Sequence, residues 1–293
     1  MIKYTVIDDS AIQLGGTSLT LEAITEPFKD ECEFITTSEL TKTHLQFKHP
    51  KVWIIGNTMA LNKESYEAIV EIIQQRTTIK LDFDYGFCRF RSPTAHRILG
   101  KTECDCLVNP ETATLKNLYC YIRDNSSIVF YMSEMQRQIH QQAISIKSEQ
   151  SIVLSSCFTQ DSFKKMKEYR SRPKSEKYAI IDGHQGWHSE AKGVKKSINY
   201  AVTKNLDYDL FKTDTHDEML DKLSGYKGLI FLPIIEDTCP RVTIEAKLMG
   251  LEVITNENSQ HTTESWWNYS LDEIENYLRE RPNLLHQELI NLS

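Results

Sequence analysis

The sequence predicts an α/β protein made of two Rossmann-like domains facing each other across a cleft. Short apolar runs alternate with helical patterns along the whole chain, which is the mark of largely parallel sheets. The 293 residues are enough for two hydrophobic cores of ordinary size. A basic stretch, KKMKEYRSRPKSEK at 164–177, sets seven basic residues against two acids around a proline, and separates the two alternations. The predicted organisation is a domain over 1–170, a second over 171–270, and a helical segment over 271–293 that packs back on the first domain.

Taken in order, the apolar runs of the first half predict strands at 3–8, 52–56, 79–84, 128–131 and 152–155. Helical spacing predicts helices at 17–28, 63–76, 134–144 and 161–169. The second half is more regular, with strands at 178–182, 208–212, 228–233 and 251–255. Helices fall between them at 191–204, 216–223 and 241–249. The last segment, LDEIENYLRERPNLLHQELINL, is helical on both sides of Pro282, which is expected to kink or split it.

Composition narrows the class. Hydrophobic residues make up 40% and charged residues 26%, ordinary values for a globular protein. No apolar run reaches the roughly 18 residues a membrane span needs, and MIKYTVIDDSAIQ reads as a first strand rather than a signal peptide. A formal net charge of −7 argues against generic coating of nucleic acid but leaves a local basic patch open. Seven cysteines, an odd set, predict reduced thiols and a cytoplasmic protein, in the host cytoplasm if the chain is viral.

The most informative stretch is FLPIIEDTCPRVTIEAKLMGLEVITN, residues 231–256. A buried strand delivers the chain to the carboxyl edge of a parallel sheet, where open α/β folds bind ligands. Thr238 or Asp237 is expected to cap the next helix, with Pro240 in its first turn. The free N–H groups of that helix start, beginning at Arg241, suit a phosphate. Asp237 and Glu245, eight residues apart, can then accept from neutral hydroxyls. Phosphate donors beside carboxylate acceptors describe a site for a nucleotide sugar.

At these residues the sequence resembles retaining glycosyltransferases of the GT-B fold with their E-x7-E motif. Such enzymes read E-x-x-P-R-V-x-I-E-A-K-x-x-G where this chain reads D-T-C-P-R-V-T-I-E-A-K-L-M-G. The resemblance implies that Glu245 holds the nucleotide ribose and that Asp237 touches hydroxyls of the donor sugar. Asp237 is one methylene shorter than the usual Glu, and neighbouring Glu236 could take its place. A second segment, IIDGHQGWHSEAKGVKKSINYA, is similar to the family's G…KG…(A/S)I.YA stretch. It implies a diphosphate contact for Lys192, with Gly183 and His184 in the preceding loop, His184 standing where an Arg is usual. Gly15 and Gly16, between the first strand and helix, resemble the Gly-Gly loop near the start of many such enzymes. Asp84, at the end of IKLDFDYG, falls where they place a catalytic or substrate-orienting group, with Asp82 as its competitor.

Residues 84–106 also hold Cys88, His96, Cys104 and Cys106 in the spacing C-x7-H-x7-C-x-C. These side chains suit a structural zinc, although C-x-C is a less usual clamp than C-x2-C. The segments DY-x-F-C…RSP…H…C-D-C, LPIIEDTCPR and SQHTTESWW resemble compact glycosyltransferases of phage and large viruses.

The expected activity is transfer of a sugar from a nucleotide diphosphate sugar, a UDP-sugar first among donors, to an acceptor hydroxyl with retention. No obligatory catalytic metal is expected. The acceptor would be a glycan or, in a phage setting, a hydroxymethylated DNA base whose phosphates the 164–177 stretch could track, a DNA modification. Two other classes compete: a nucleotide-sugar epimerase of similar fold, and a non-catalytic module that binds nucleic acid or glycan.

Overall fold

The computed structural model describes residues 2–9, 15–144, 151–182, 187–238 and 240–293. The chain divides into two compact units, the first comprising Met1–Phe158 with Arg279–Ser293 and the second Thr159–Leu278.

The first unit runs β1 (Tyr4–Asp8), α1 (Gly16–Thr25), β2 (Cys32–Thr36), α2 (Lys42–Phe47), β3 (Val52–Ile55), α3 (Lys63–Gln75), β4 (Thr78–Asp82), α4 (Pro93–Gly100), α5 (Ala113–Asn125), β5 (Ile128–Tyr131), α6 (Glu134–Ala143) and β6 (Ser151–Val153). Its six strands form one sheet in the order β2-β1-β3-β4-β5-β6, every pairing parallel. β1, β3 and β4 are buried along their whole length; β3, VWII, reads as a continuous apolar run, whereas β4, TIKLD, takes Lys80 and Asp82 inside with it. β2 is the exception. It lies at the sheet edge with mixed burial, and its sequence CEFIT carries no apolar run by which to find it. The core gathers Ile7, Trp53 and Ile55 of the sheet with Ile69 and Ile72 of α3 and Ile122 of α5. α3 buries Ser65, Ala68, Ile69, Ile72 and Ile73, one face at helical spacing, and Asn62 caps it by accepting from the Ser65 N–H at 3.0 Å.

The second unit begins with α7 (Gln160–Arg170) and continues β7 (Tyr178–Ile181), α8 (Trp187–Ala191), α9 (Val194–Thr203), β8 (Tyr208–Phe211), α10 (His216–Leu223), β9 (Gly228–Ile230), α11 (Arg241–Leu248) and β10 (Glu252–Ile254). Its sheet has the order β10-β9-β7-β8, again all parallel. α7 joins this unit because Arg170 donates to the Leu248 carbonyl at 3.0 Å and pairs with Asp272 at 3.0 Å.

α12 spans Leu271–Leu292 as one helix, so Pro282 does not split it. Ile274, Leu278, Leu285 and Leu289 are fully buried at helical spacing, and this continuous apolar face holds the helix together across the missing N–H. Its second part belongs to the first unit, where the His286 ring lies 5.0 Å from Phe28 and 6.5 Å from Tyr4.

Candidate functional site

Because every strand of the second sheet is parallel, the loops after β7, β8 and β9 leave from one edge, the carboxyl edge. Lys192, Glu236, Asp237, Arg241 and Glu245, all expected at a ligand site, lie on these loops or on the helices that follow them.

The first junction is set by a glycine. Gly193 sits in the left-handed region with φ 72°, and a Cβ there would stand 1.8 Å from the Leu232 carbonyl oxygen. Only glycine lets the loop after β7 press against the loop after β9. Two hydrogen bonds fasten them: Ile234 N–H donates to the Ala191 carbonyl at 3.0 Å and Leu232 N–H to Ser197 Oγ at 3.1 Å. This closeness brings Lys192 Nζ to 2.6 Å from Asp237 Oδ2. The lysine is 40% exposed and the aspartate 10%, so the pair presents its charge from the lysine side.

Asp237 does not cap α11, nor does Thr238. The helix starts at Arg241 with Pro240 at the N-cap position and no side-chain cap. Asp237 instead uses its backbone in an isolated parallel bridge to Ser259, its N–H donating to the Asn258 carbonyl at 2.8 Å and its carbonyl accepting from Gln260 N–H at 3.1 Å. The intervening prolyl turn takes the chain away from capping geometry, and the bridge holds the aspartate where Lys192 meets it. Asn256 and Asn258 brace the turn, both side chains donating to the Pro233 carbonyl. Glu236 is half-buried in the same loop.

Glu245 lies one turn into α11 and is 1% exposed. Its Oε1 receives His216 Nε2 at 2.8 Å and stands 3.6 Å from Arg241 Nε. Burial alone would raise this carboxyl's pKa; the hydrogen bond and charge of His216 and the charge of Arg241 outweigh it and hold it below the usual carboxylate range. His216 is a site residue that sequence reasoning missed. The signal was present: it opens the helix after β8, at the same sheet edge. A reciprocal cap positions it, with Glu218 N–H donating to Thr215 Oγ1 at 3.2 Å and Thr215 N–H to Glu218 Oε2 at 3.3 Å. Gly183 and His184 lie outside the described residues.

In the first unit, Asp82 and Asp84 differ in their partners. Asp82 is 2% exposed and fully engaged: Lys80 Nζ stands 3.0 Å from Oδ1, and the Tyr119 hydroxyl donates to Oδ2 at 2.5 Å. Lys80, itself buried, also donates to the Gly56 and Leu81 carbonyls. His140 completes the cluster, boxed by the rings of Tyr85, Phe87, Tyr119 and Tyr131. Burial pushes its imidazole toward the neutral form. These side chains form one buried cluster. Asp84, beyond the strand end and 18% exposed, is held by the guanidinium of Arg91, whose Nε donates to Oδ2 at 2.7 Å. Gly15 is the N-cap of α1, with an extended φ of −172°, and Gly16 is the helix's first residue.

No protein-family model matches the chain, and no curated protein matches it. Solved structures do. HepE from Anabaena, in complex with UDP and glucose, is similar with a TM-score of 0.56 at 13% identity, covering 94% of this chain and 89% of its own. The same protein with UDP-glucose superposes with a TM-score of 0.53 at 12% identity, over 90% of this chain and 83% of that one. The structure of apo OtsA is similar with a TM-score of 0.56 at 8% identity, over 99% of this chain and 95% of that one. With its two parallel sheets, the chain has the mixed α/β fold of the GT-B glycosyltransferases.

Proposed function

We propose that the chain is a glycosyltransferase that takes its sugar from a nucleotide diphosphate sugar, with a UDP-sugar first among donors. The observation that carries this reading is the Lys192–Asp237 pair on the same sheet edge as the buried Glu245 carboxylate, in a chain of GT-B fold. A similar structure holds UDP and glucose, which supports the choice of donor.

The roles follow from charge and geometry. Lys192, the exposed member of its pair, receives the diphosphate, and the N–H groups at the start of α11 add their dipole to it. Asp237, released from the lysine by the incoming phosphates, accepts from sugar hydroxyls together with Glu236. Glu245 is kept ionised by His216 and Arg241, so it accepts from ribose hydroxyls at any pH above the carboxylate range. Fixed positive charge at the diphosphate stabilises the departing nucleotide, the largest single aid to this kind of displacement. Asp84, oriented by Arg91, addresses the acceptor hydroxyl. Transfer proceeds with retention, and the acceptor hydroxyl belongs to a glycan or to a hydroxymethylated base.

The test is thermal unfolding with UDP, UDP-glucose, GDP and ADP, repeated on Lys192→Ala and Glu245→Gln. A ligand at 100 times its Kd stabilises by about 2.7 kcal/mol, a readily measured shift. One nucleotide shifting the wild type and neither variant supports the reading. Absence of any shift in the wild type sinks it and leaves the binding-module class.

A further inference from the structure

The first unit contains a second constellation that the transfer reaction does not use. Between β4 and α5 the chain runs for some thirty residues with one short helix, α4, of 8 residues. Such a segment has little regular structure with which to hold itself, although Tyr85 and Phe87 anchor its start in a buried aromatic cluster. Three cysteines and a histidine from its two arms nevertheless converge on one point. Cys88, His96 and Cys106 are fully buried and Cys104 half-buried, and their ligand atoms all lie within 4.8 Å of one another.

From this juxtaposition we infer that Cys88, His96, Cys104 and Cys106 form a structural zinc site. A tetrahedral zinc with sulfur at about 2.3 Å and nitrogen at about 2.0–2.1 Å sets sulfur atoms about 3.8 Å apart and sulfur about 3.5 Å from nitrogen. Cys88 Sγ lies 3.6 Å from Cys104 Sγ and 4.0 Å from Cys106 Sγ. His96 Nδ1 lies 3.6 Å from Cys88 Sγ and 3.4 Å from Cys106 Sγ. The four edges match the tetrahedron to a few tenths of an ångström. Four protein ligands also fill it, with no position left for a reacting water, so the ion is structural.

The surroundings suit a metal-bound histidine. With Nδ1 on zinc, the proton sits on Nε2, which faces Asp105 Oδ1 at 3.5 Å. That oxygen is buried and, among the described residues, has no other hydrogen-bond partner. A carboxylate behind a ligating imidazole fixes its tautomer and strengthens it as a ligand. The Arg89 backbone N–H donates to Cys106 Sγ at 3.4 Å, as a thiolate requires. In the metal-free protein the Cys88 proton would point to the Ser92 carbonyl at 3.4 Å. Gly100 closes the site, since a Cβ there would stand 2.8 Å from His96 Cδ2.

The ion would tie residue 88 to residue 106, and so fix the turn that carries Arg91 onto Asp84. Metal analysis of the full chain, purified without chelator or a histidine tag, tests this. About one zinc per chain is expected, released by a mercurial that titrates the thiolates. Cys104→Ser, at the half-buried ligand, should lose the metal, and Cys120→Ser, outside the cluster, should keep it. Cobalt added to the stripped wild type should give the intense visible bands of a tetrahedral thiolate site, a readout that needs no variant. Wild type that carries no zinc and gives no cobalt spectrum overturns the site, as does a Cys88–Cys104 disulfide in freshly purified protein.

Discussion

Gly193 and Glu245 show how single positions hold the candidate site. Replacing Gly193 with alanine asks an L-residue to adopt φ 72° and puts a methyl 1.8 Å from a backbone oxygen. The backbone term alone costs about 1–2 kcal/mol, and the loops must part to relieve the clash. Gly193→Ala should therefore lower the melting temperature and abolish the nucleotide response together, whereas Lys192→Ala should abolish only the response. Glu245 makes a pH prediction. Its folded pKa is lowered, so the stability it contributes is present above the ordinary glutamate value of about 4.3 and is lost as pH falls through the folded value. Melting curves carried from neutral pH to well below that glutamate value should show this acid-side loss in wild type and a smaller one in Glu245→Gln. At this scale the sequence offered Lys192, Asp237 and Glu245 as candidates without the contacts they make, and Lys192 and Asp237 are 45 residues apart. The pairing of Glu245 with His216 was not legible either, because residues 29 apart meet only once the sheet edge is built.

At the scale of elements, β4 carries the heaviest burden of buried polarity. Lys80 and Asp82 pair inside the sheet, and removing one partner of such a pair typically costs about 3–5 kcal/mol because the other is left charged and buried. Asp82→Asn should accordingly destabilise the first unit by several kcal/mol. Asp84→Asn, at a partly exposed position, should leave the melting temperature nearly unchanged and lower turnover instead. That contrast separates scaffold from chemistry on neighbouring side chains of one strand end. α3 makes a plainer case: Ile72→Ala removes a fully buried side chain and should cost about 2–5 kcal/mol, and Asn62→Ala, at the cap, about 1 kcal/mol. The elements easiest to read were the fully buried strands and the amphipathic helices. β2, α2, α4, α5 and α8 were passed over, β2 because CEFIT carries no apolar run and α2 and α8 because they are only 6 and 5 residues long. The cysteine and histidine spacing showed which ligands were available, but not that two arms of one loop bring them together.

For the whole molecule, the division into two units predicts two thermal transitions. A nucleotide sugar should raise the one belonging to Thr159–Leu278, where Lys192, His216, Asp237 and Glu245 all reside. A strong zinc chelator should lower the other. Calorimetry with each added alone checks the assignment, and a single transition moved by both would count against it. The α/β class was readable along the chain because parallel strands announce themselves as apolar runs with helices between. The division was harder to read. A basic stretch drew attention to 164–177, while packing through Arg170 assigns α7 to the second unit.

The return of residues 279–293 to the first unit has a consequence for synthesis on the ribosome. Chains usually fold from the end that emerges first. Here the first unit must wait for Leu285 and Leu289, which are among its buried residues, whereas all of the second unit has by then been translated. The later-made half is therefore free to fold while the earlier-made half is still incomplete, with the groove meant for the final helix open to the cell's chaperones.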